Sequence, residues 1–147
     1  MLIGEYASQL GDKNRVSIPK KLRIEMTGNI YLTRGYENTL LMTDNSRWLK
    51  IIKEINSKPL LSLTTREIKR FIVGGAAKVD PDSQGRFVIP ESLLNFASIT
   101  SEVVFVGVGE WIEIWDKSKW DEKLDKLSAD LTDLSNSLYK EVLNNGN

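Results

Sequence analysis

Short alternating apolar runs, broken by turn residues, dominate the chain as far as residue 120. Tyr6 to Leu10 predicts a strand, Gly11-Asp12-Lys13-Asn14 a turn, and Arg15 to Ile18 a returning strand. Pro19 opens a short helix to about Met26, which Gly28-Asn29 ends. Ile30 to Arg34 and Thr39 to Thr43 predict two more strands around Gly35-Tyr36-Glu37-Asn38. Asp44 or Asn45 caps a helix over about Arg47 to Ile55. The same order returns later. Ala76 to Val79, a turn at Pro81 to Gly85, and Arg86 to Ile89 form a second hairpin; Pro90 to Phe96 is helical, Val103 to Val108 and Trp111 to Trp115 are strands, and a helix starts near Ser118. From Leu124 the spacing changes. Leu124, Leu127, Leu131, Leu134 and Leu138 fall at intervals of 3, 4, 3 and 4, a helical seam little over two heptads long, and Asn144 to Asn147 are expected to fray.

The recurrence extends to residue identity. Aligning residues 11–22 with 82–93 matches Arg15 to Arg86, Val16 to Phe87, Ile18 to Ile89, Pro19 to Pro90 and Leu22 to Leu93, 71 positions apart. Aligning 31–48 with 103–120 matches Gly35 to Gly107, Asp44 to Asp116, Ser46 to Ser118 and Trp48 to Trp120, 72 apart. Self-similarity at a fixed offset marks a duplicated structural unit, and two copies favour one pseudo-symmetric body over a solenoid. Each unit has four short strands, too few to bury a core alone, so the two are expected to interlock into a small barrel. The expected organisation is a first repeat over 1–56, a connecting helix over 57–75, a second repeat over 76–120 and a C-terminal helix over 121–143. In the connector, Thr64 and Glu67 have the spacing of a helix capping box.

Composition narrows the chemistry. The 147 residues lack both Cys and His, which excludes disulfides, Cys/His zinc sites, Cys nucleophiles and imidazole acid–base schemes. Carboxylates and Ser–Lys pairs remain, but no convergent constellation of them is visible. No catalytic residue, metal or cofactor is therefore expected. Apolar runs are too short for a membrane span, and a cytoplasmic chain is expected. The net charge of +0 conceals an asymmetry. Residues 1–75 carry 13 Lys/Arg against 7 Asp/Glu, and residues 76–147 carry 7 against 13. A basic half and an acidic half suit a polyanion-binding face, a self-complementary assembly, or both.

The two hairpin tips are the candidate site. Asp82 is placed to form an Asx-turn, Gly85 supplies a positive φ, and Asn14 occupies the matching position in the first copy. Lys13, Arg15, Lys20, Lys21 and Arg23 surround the first tip, with Asp12 alone opposing them. Asp80, Asp82 and Glu91 surround Arg86. A guanidinium on a stiff turn suits bidentate contact with phosphate or with guanine in a major groove, which a two-stranded ribbon can enter. Lys13, Lys20 and Lys21 would supply phosphate attraction. In the alternative reading, Arg86 pairs with Asp82 and Arg15 with Asp12, and both merely hold their turns. Trp48 and Trp120 read as helix anchors, and Gly107-Val108-Gly109 opens no helix and reads as no nucleotide loop.

Gly4-Glu5-Tyr6, the run Gly11-Asp12-Lys13-Asn14-Arg15 with Pro19, and Asp82-Ser83-Gln84-Gly85-Arg86 with Pro90 together resemble the MraZ family of bacterial transcriptional regulators, over roughly residues 1–143. The resemblance implies an α+β, mainly β fold. Two interlocked swapped-hairpin repeats of the AbrB (double-psi-type) barrel would carry short helices and a C-terminal helix. It implies ring-shaped homo-oligomers on repeated operator sites in double-stranded DNA, upstream of a cell-division and cell-wall gene cluster, and hence nucleoid association. Asp82, Gly85 and Arg86 match the family motif; in the first copy Gly11 stands in place of Asp and Asn14 in place of Gly. On this reading Lys13, Arg15, Lys20, Lys21 and Arg86 contact DNA, and Asp12, Asn14, Asp82 and Gly85 shape the turns. A non-catalytic oligomerisation or antitoxin-like module that binds a protein partner is the alternative.

Overall fold

A computed structural model describes residues 1–145. The chain divides into two compact units, Met1–Lys117 and the segment from Ser118 onward. The first unit is α+β and mainly sheet. Its strands are β1 (Leu2–Gln9), β2 (Arg15–Ser17), β3 (Ile30–Arg34), β4 (Leu40–Asp44), β5 (Ala77–Val79), β6 (Arg86–Val88), β7 (Glu102–Gly109) and β8 (Ile112–Asp116). Its helices are α1 (Lys20–Arg23), α2 (Asn45–Asn56), α3 (Leu63–Ile68) and α4 (Glu91–Ala97). Six strands form one antiparallel sheet in the order β1-β7-β8-β4-β3-β5, and β2 pairs with β6 in a separate ribbon.

This order interlocks the repeats. The first strand of each repeat leaves its own unit: β1 pairs with β7, and β5 with β3. The register carries a pseudo-twofold relation. Leu40 faces Ile114 and Met42 faces Ile112, with Leu41 opposite Glu113 at the centre. In the ribbon, Arg15 faces Val88 and Ser17 faces Arg86, with Val16 opposite Phe87. Each flanking pair is the other's image under the repeat offset. Cross-links flanking the ribbon obey the same symmetry: Ile18 N–H donates to Gly85 O at 2.9 Å, and Ile89 N–H to Asn14 O at 2.9 Å. Hydrogen bonding does not run continuously round a barrel, since β1 and β5 end the large sheet and the ribbon stands apart.

The matched apolar residues are the core. Val16 and Phe87, Ile18 and Ile89, and Leu22 and Leu93 are all buried, beside Leu32, Met42 and Phe105. Each such side chain contributes about 1.5–3 kcal/mol through removal from water. Close packing fixes two glycines of the long edge pair. Gly4 (φ +101) lies under the Tyr6 ring, and a Cβ at Gly107 would come within 2.6 Å of the Leu2–Ile3 backbone.

Several boundaries differ from expectation for physical reasons. Pro19 and Pro90 cap their helices from just outside, with ψ near 135° and 140°. Leu22 and Leu93 N–H each bond the preceding proline's carbonyl at 3.0 Å. Beyond Arg23 the chain continues in i→i+3 turns to Met26, so α1 is short. Asp44 does cap α2, accepting from Arg47 N–H at 3.3 Å and from Thr27 N–H at 3.0 Å. In the connector Ser62, not Thr64, caps α3, accepting from Thr65 N–H. A turn of π-helix, Lys69–Val73, follows. Arg34 holds it from β3, donating to Phe71 O at 3.1 Å and Arg70 O at 3.3 Å while lying over the Phe71 ring. Trp48 stacks on Tyr31 with ring centroids 5.3 Å apart, as an anchor of α2 would.

From Ser118 the second unit continues the helix α5 (Lys117–Asn145), 29 residues and about 43 Å long at 1.5 Å per residue. It carries the expected leucine seam. Asn144 and Asn145 continue the helix, and residues 146–147 of the segment expected to fray lie outside the described part.

Candidate nucleic-acid interface

The ribbon β2–β6 is what brings the two motifs together. Each tip is a five-residue turn closed by backbone bonds. Gly11 N–H donates to Arg15 O at 2.7 Å, and Asp82 N–H to Arg86 O at 3.0 Å. The conformations inside differ. In the first tip Lys13 and Asn14 both have positive φ, 59° and 60°; in the second only Gly85 does, at 80°. Gly35-Tyr36-Glu37-Asn38-Thr39 repeats the first form, with a 2.7 Å closing bond from Gly35 and positive φ at Glu37 and Asn38. Gly-x-x-Asn thus encodes one turn twice in this chain, and Asn tolerates the left-handed region better than most residues.

The second tip is organised by Asp82. Its Oδ1 accepts from the N–H groups of Gln84 and Arg86, each at 2.9 Å, and its Oδ2 takes Arg86 Nε at 2.7 Å. The Arg86 backbone N–H, then its side chain, hold the Asp82 carboxyl below the usual carboxylate range. The ion pair is solvent-facing, with Arg86 47% and Asp82 41% exposed. Arg86 therefore fulfils the turn-holding alternative while keeping its outer edge in water.

The first tip lacks this device. Gly11 stands at the position of Asp82, and the Asp12 side chain does not replace it. Asp12 contributes its carbonyl, which accepts from Arg15 N–H. Arg15 is exposed and has no carboxylate partner among the described residues. Arg15 and Arg86 line one shallow cavity of about 390 Å³ with Asp12, Ser17 and Gln9. Lys13 is exposed at the tip apex, and Lys20 and Lys21 are exposed on α1; these three do not line that cavity.

Arg23 contributes more than local charge to the first tip's surroundings. Its guanidinium and Cδ cover Gly85, so any Cβ at residue 85 would collide with them, and Ile18 O would lie 3.0 Å from the same atom. Gly85 is thus favoured by its φ and by the close Ile18 carbonyl, while the Arg23 guanidinium from the other repeat packs over it. Its spacing from Arg15 carries no local signal; only the crossing of the repeats reveals the contact. Among the described residues no group of acidic side chains is placed to hold a metal ion, and no described helix is long and apolar enough to cross a membrane.

Comparison with known proteins matches the duplication of the chain. The family model described as "MraZ protein, putative antitoxin-like" matches residues 1–71 and again 72–141, one copy for each repeat. A protein of Clostridium acetobutylicum named transcriptional regulator MraZ is 39% identical over 122 residues, 83% of this chain and 86% of its own. Those of the same name from Syntrophomonas wolfei and Caldanaerobacter subterraneus are 34% and 35% identical, over 99% and 100% of this chain and 96% and 99% of their own. Two successive matches spanning the interlocked repeats, with relatives collinear from end to end, establish that the chain belongs to the MraZ family.

Proposed function

We propose that this protein is a non-catalytic, DNA-binding transcriptional regulator whose paired hairpin tips engage double-stranded DNA. The observation that carries the reading is the ribbon: it presents Arg15 and Arg86, one from each repeat, on a single exposed face. The relatives' name, transcriptional regulator, supports it. Arg15, unpaired and mounted on a closed turn, reads a base edge or clamps a phosphate. Arg86, fixed at a defined angle by Asp82, offers its remaining donors. Lys13, Lys20 and Lys21 contact phosphates. Asp12, Asn14, Asp82 and Gly85 hold the tips. Further along the same reading, ring-shaped homo-oligomers bind repeated operator sites upstream of a cell-division and cell-wall gene cluster, in the cytoplasm at the nucleoid. Repetition multiplies the modest affinity of one ribbon through effective concentration. The "antitoxin-like" wording of the family description favours a second reading, a non-catalytic module that binds a protein partner.

Titration of the protein onto the DNA upstream of its own gene at two salt concentrations separates the two. The regulator reading predicts binding that weakens steeply with salt, with log K falling by about 0.9 per neutralised phosphate for each unit of log salt. No preference for that DNA over random duplex, together with a stable stoichiometric protein complex, favours the second.

A further inference from the structure

The connector and the C-terminal helix each leave apolar surface uncovered. Pro59 to Ser62 joins α2 to α3, and Arg66 Nη1 pins this loop by donating to Leu60 O and Leu61 O at 3.1 and 2.9 Å. The pinned loop holds Leu61 92% exposed, with Leu60 and Leu63 also outward. Beside it run two adjoining cavities of about 310 and 530 Å³ that share Tyr36, Ile68 and Ile72. The smaller is floored by Leu41, Ile51, Ile55 and Trp111. Arg34, Arg47, Lys50 and Arg70 line the cavities, and Lys58, Arg66 and Lys69 lie on the neighbouring connector; Arg47, Lys58 and Arg70 pair with Asp44, Glu54 and Glu67, which leaves Arg34, Lys50, Arg66 and Lys69 against Glu110.

The stretch of α5 between Leu127 and Tyr139 has the opposite character. Leu131 is 63% and Leu138 61% exposed, with Leu134 and Tyr139 also outward. Between Leu127 and Tyr139 the only charged residues are Asp130 and Asp133. Pairing of α5 with another α5 is poorly provided for. From Leu127 to Leu138 the flanking e and g positions are Ser128, Asp130, Ser135 and Ser137, which form no opposite-charge pairs with one another; Lys123 is the one cation at such a position along the seam. Leu127, Leu131, Leu134 and Leu138 instead have the i, i+4, i+7, i+11 spacing of a helix laid in an apolar groove.

We infer that the acidic leucine seam of α5 docks in the basic, apolar groove between α2 and the connector of a second copy of this chain. Apolar area drives the contact and the charge difference sets its partner. The contact joins unlike surfaces, so repetition closes a ring or extends. The inference rests on the homo-oligomer reading proposed above and adds the surfaces that make it.

Light scattering coupled to gel filtration, on the full chain, tests it. Wild type is expected to run as an assembly. Leu131→Asp with Leu134→Asp is expected to lose that mass while circular dichroism keeps the folded signal. Asp130→Lys with Asp133→Lys is expected to weaken assembly, and adding Lys69→Glu with Arg70→Glu to restore it. If the leucine variant is folded and keeps the wild-type mass, the docking surface is wrong while the oligomer reading stands; a monomeric wild type overturns both. Failure of the charge reversal to restore assembly overturns the choice of groove. Leu138→Cys supplies a control in this cysteine-free chain. Little disulfide dimer on oxidation is expected, and a high yield of α5-to-α5 dimer overturns the inference.

Discussion

At the residue scale, one acidic side chain and one glycine decide how the second tip is built. Gly85 combines φ +80° with a guanidinium packed where a Cβ would be. Gly85→Ala is expected to cost roughly 1–3 kcal/mol of stability, the range for a side chain forced into a disfavoured backbone region. Thermal unfolding checks it. Asp82 makes the tip's order depend on acid. Folding lowers its pKa, so its contribution is complete above the unfolded value of about 3.9 and is lost as pH falls through the lower folded value. The Gln84 and Arg86 amide resonances should therefore hold steady at neutral pH and shift only in strong acid, and Asp82→Asn should abolish that step. Amides that titrate near neutrality would contradict the assignment.

At the scale of elements, the ribbon and the caps can be tested separately from the tips. Phe87 sits on the pseudo-twofold axis opposite Val16 and is buried. Phe87→Ala is expected to cost about 3–5 kcal/mol, the range for truncating a buried aromatic, and to separate the tips. Asp44→Ala removes the α2 cap, the Thr27 bond and a 2.9 Å pair with Arg47. It should cost about 0.5–2 kcal/mol from the cap alone. Denaturant unfolding measures both. The strands, the two prolines and the turn residues were legible in the sequence because their causes are local: alternation, fixed proline φ, and Asn or Gly tolerance of positive φ; the expected pairing of each repeat's first two strands as a hairpin is not formed, since β1 pairs with β7, β5 with β3 and β2 with β6. What escaped is tertiary. Ser62 displaces Thr64 as the α3 cap, and Arg34 stabilises a π-turn from 36 residues away. Arg23 reaches Gly85 only because the repeats cross. The missing Asx-turn in the first tip was half legible: Gly11 stands in place of Asp in the sequence, and the turn closes without that carboxylate.

At the scale of the molecule, duplication explains both the fold and the asymmetry of the site. Exchange of β1 and β5 between repeats makes each half depend on the other, so neither is expected to fold alone. Expression of residues 1–75 by themselves should yield a chain without cooperative thermal unfolding, checked by circular dichroism. The β2–β6 ribbon between the repeats places one free and one paired arginine on one face. Substitution at the two positions should therefore be unequal. The direct test is fluorescence anisotropy with the upstream DNA at a single salt concentration, comparing wild type, Arg15→Ala and Arg86→Ala. The account predicts a loss of about 1–3 kcal/mol with relaxed specificity for Arg15→Ala, and a smaller loss for Arg86→Ala. Wild-type affinity and specificity in a folded Arg15→Ala protein would contradict it.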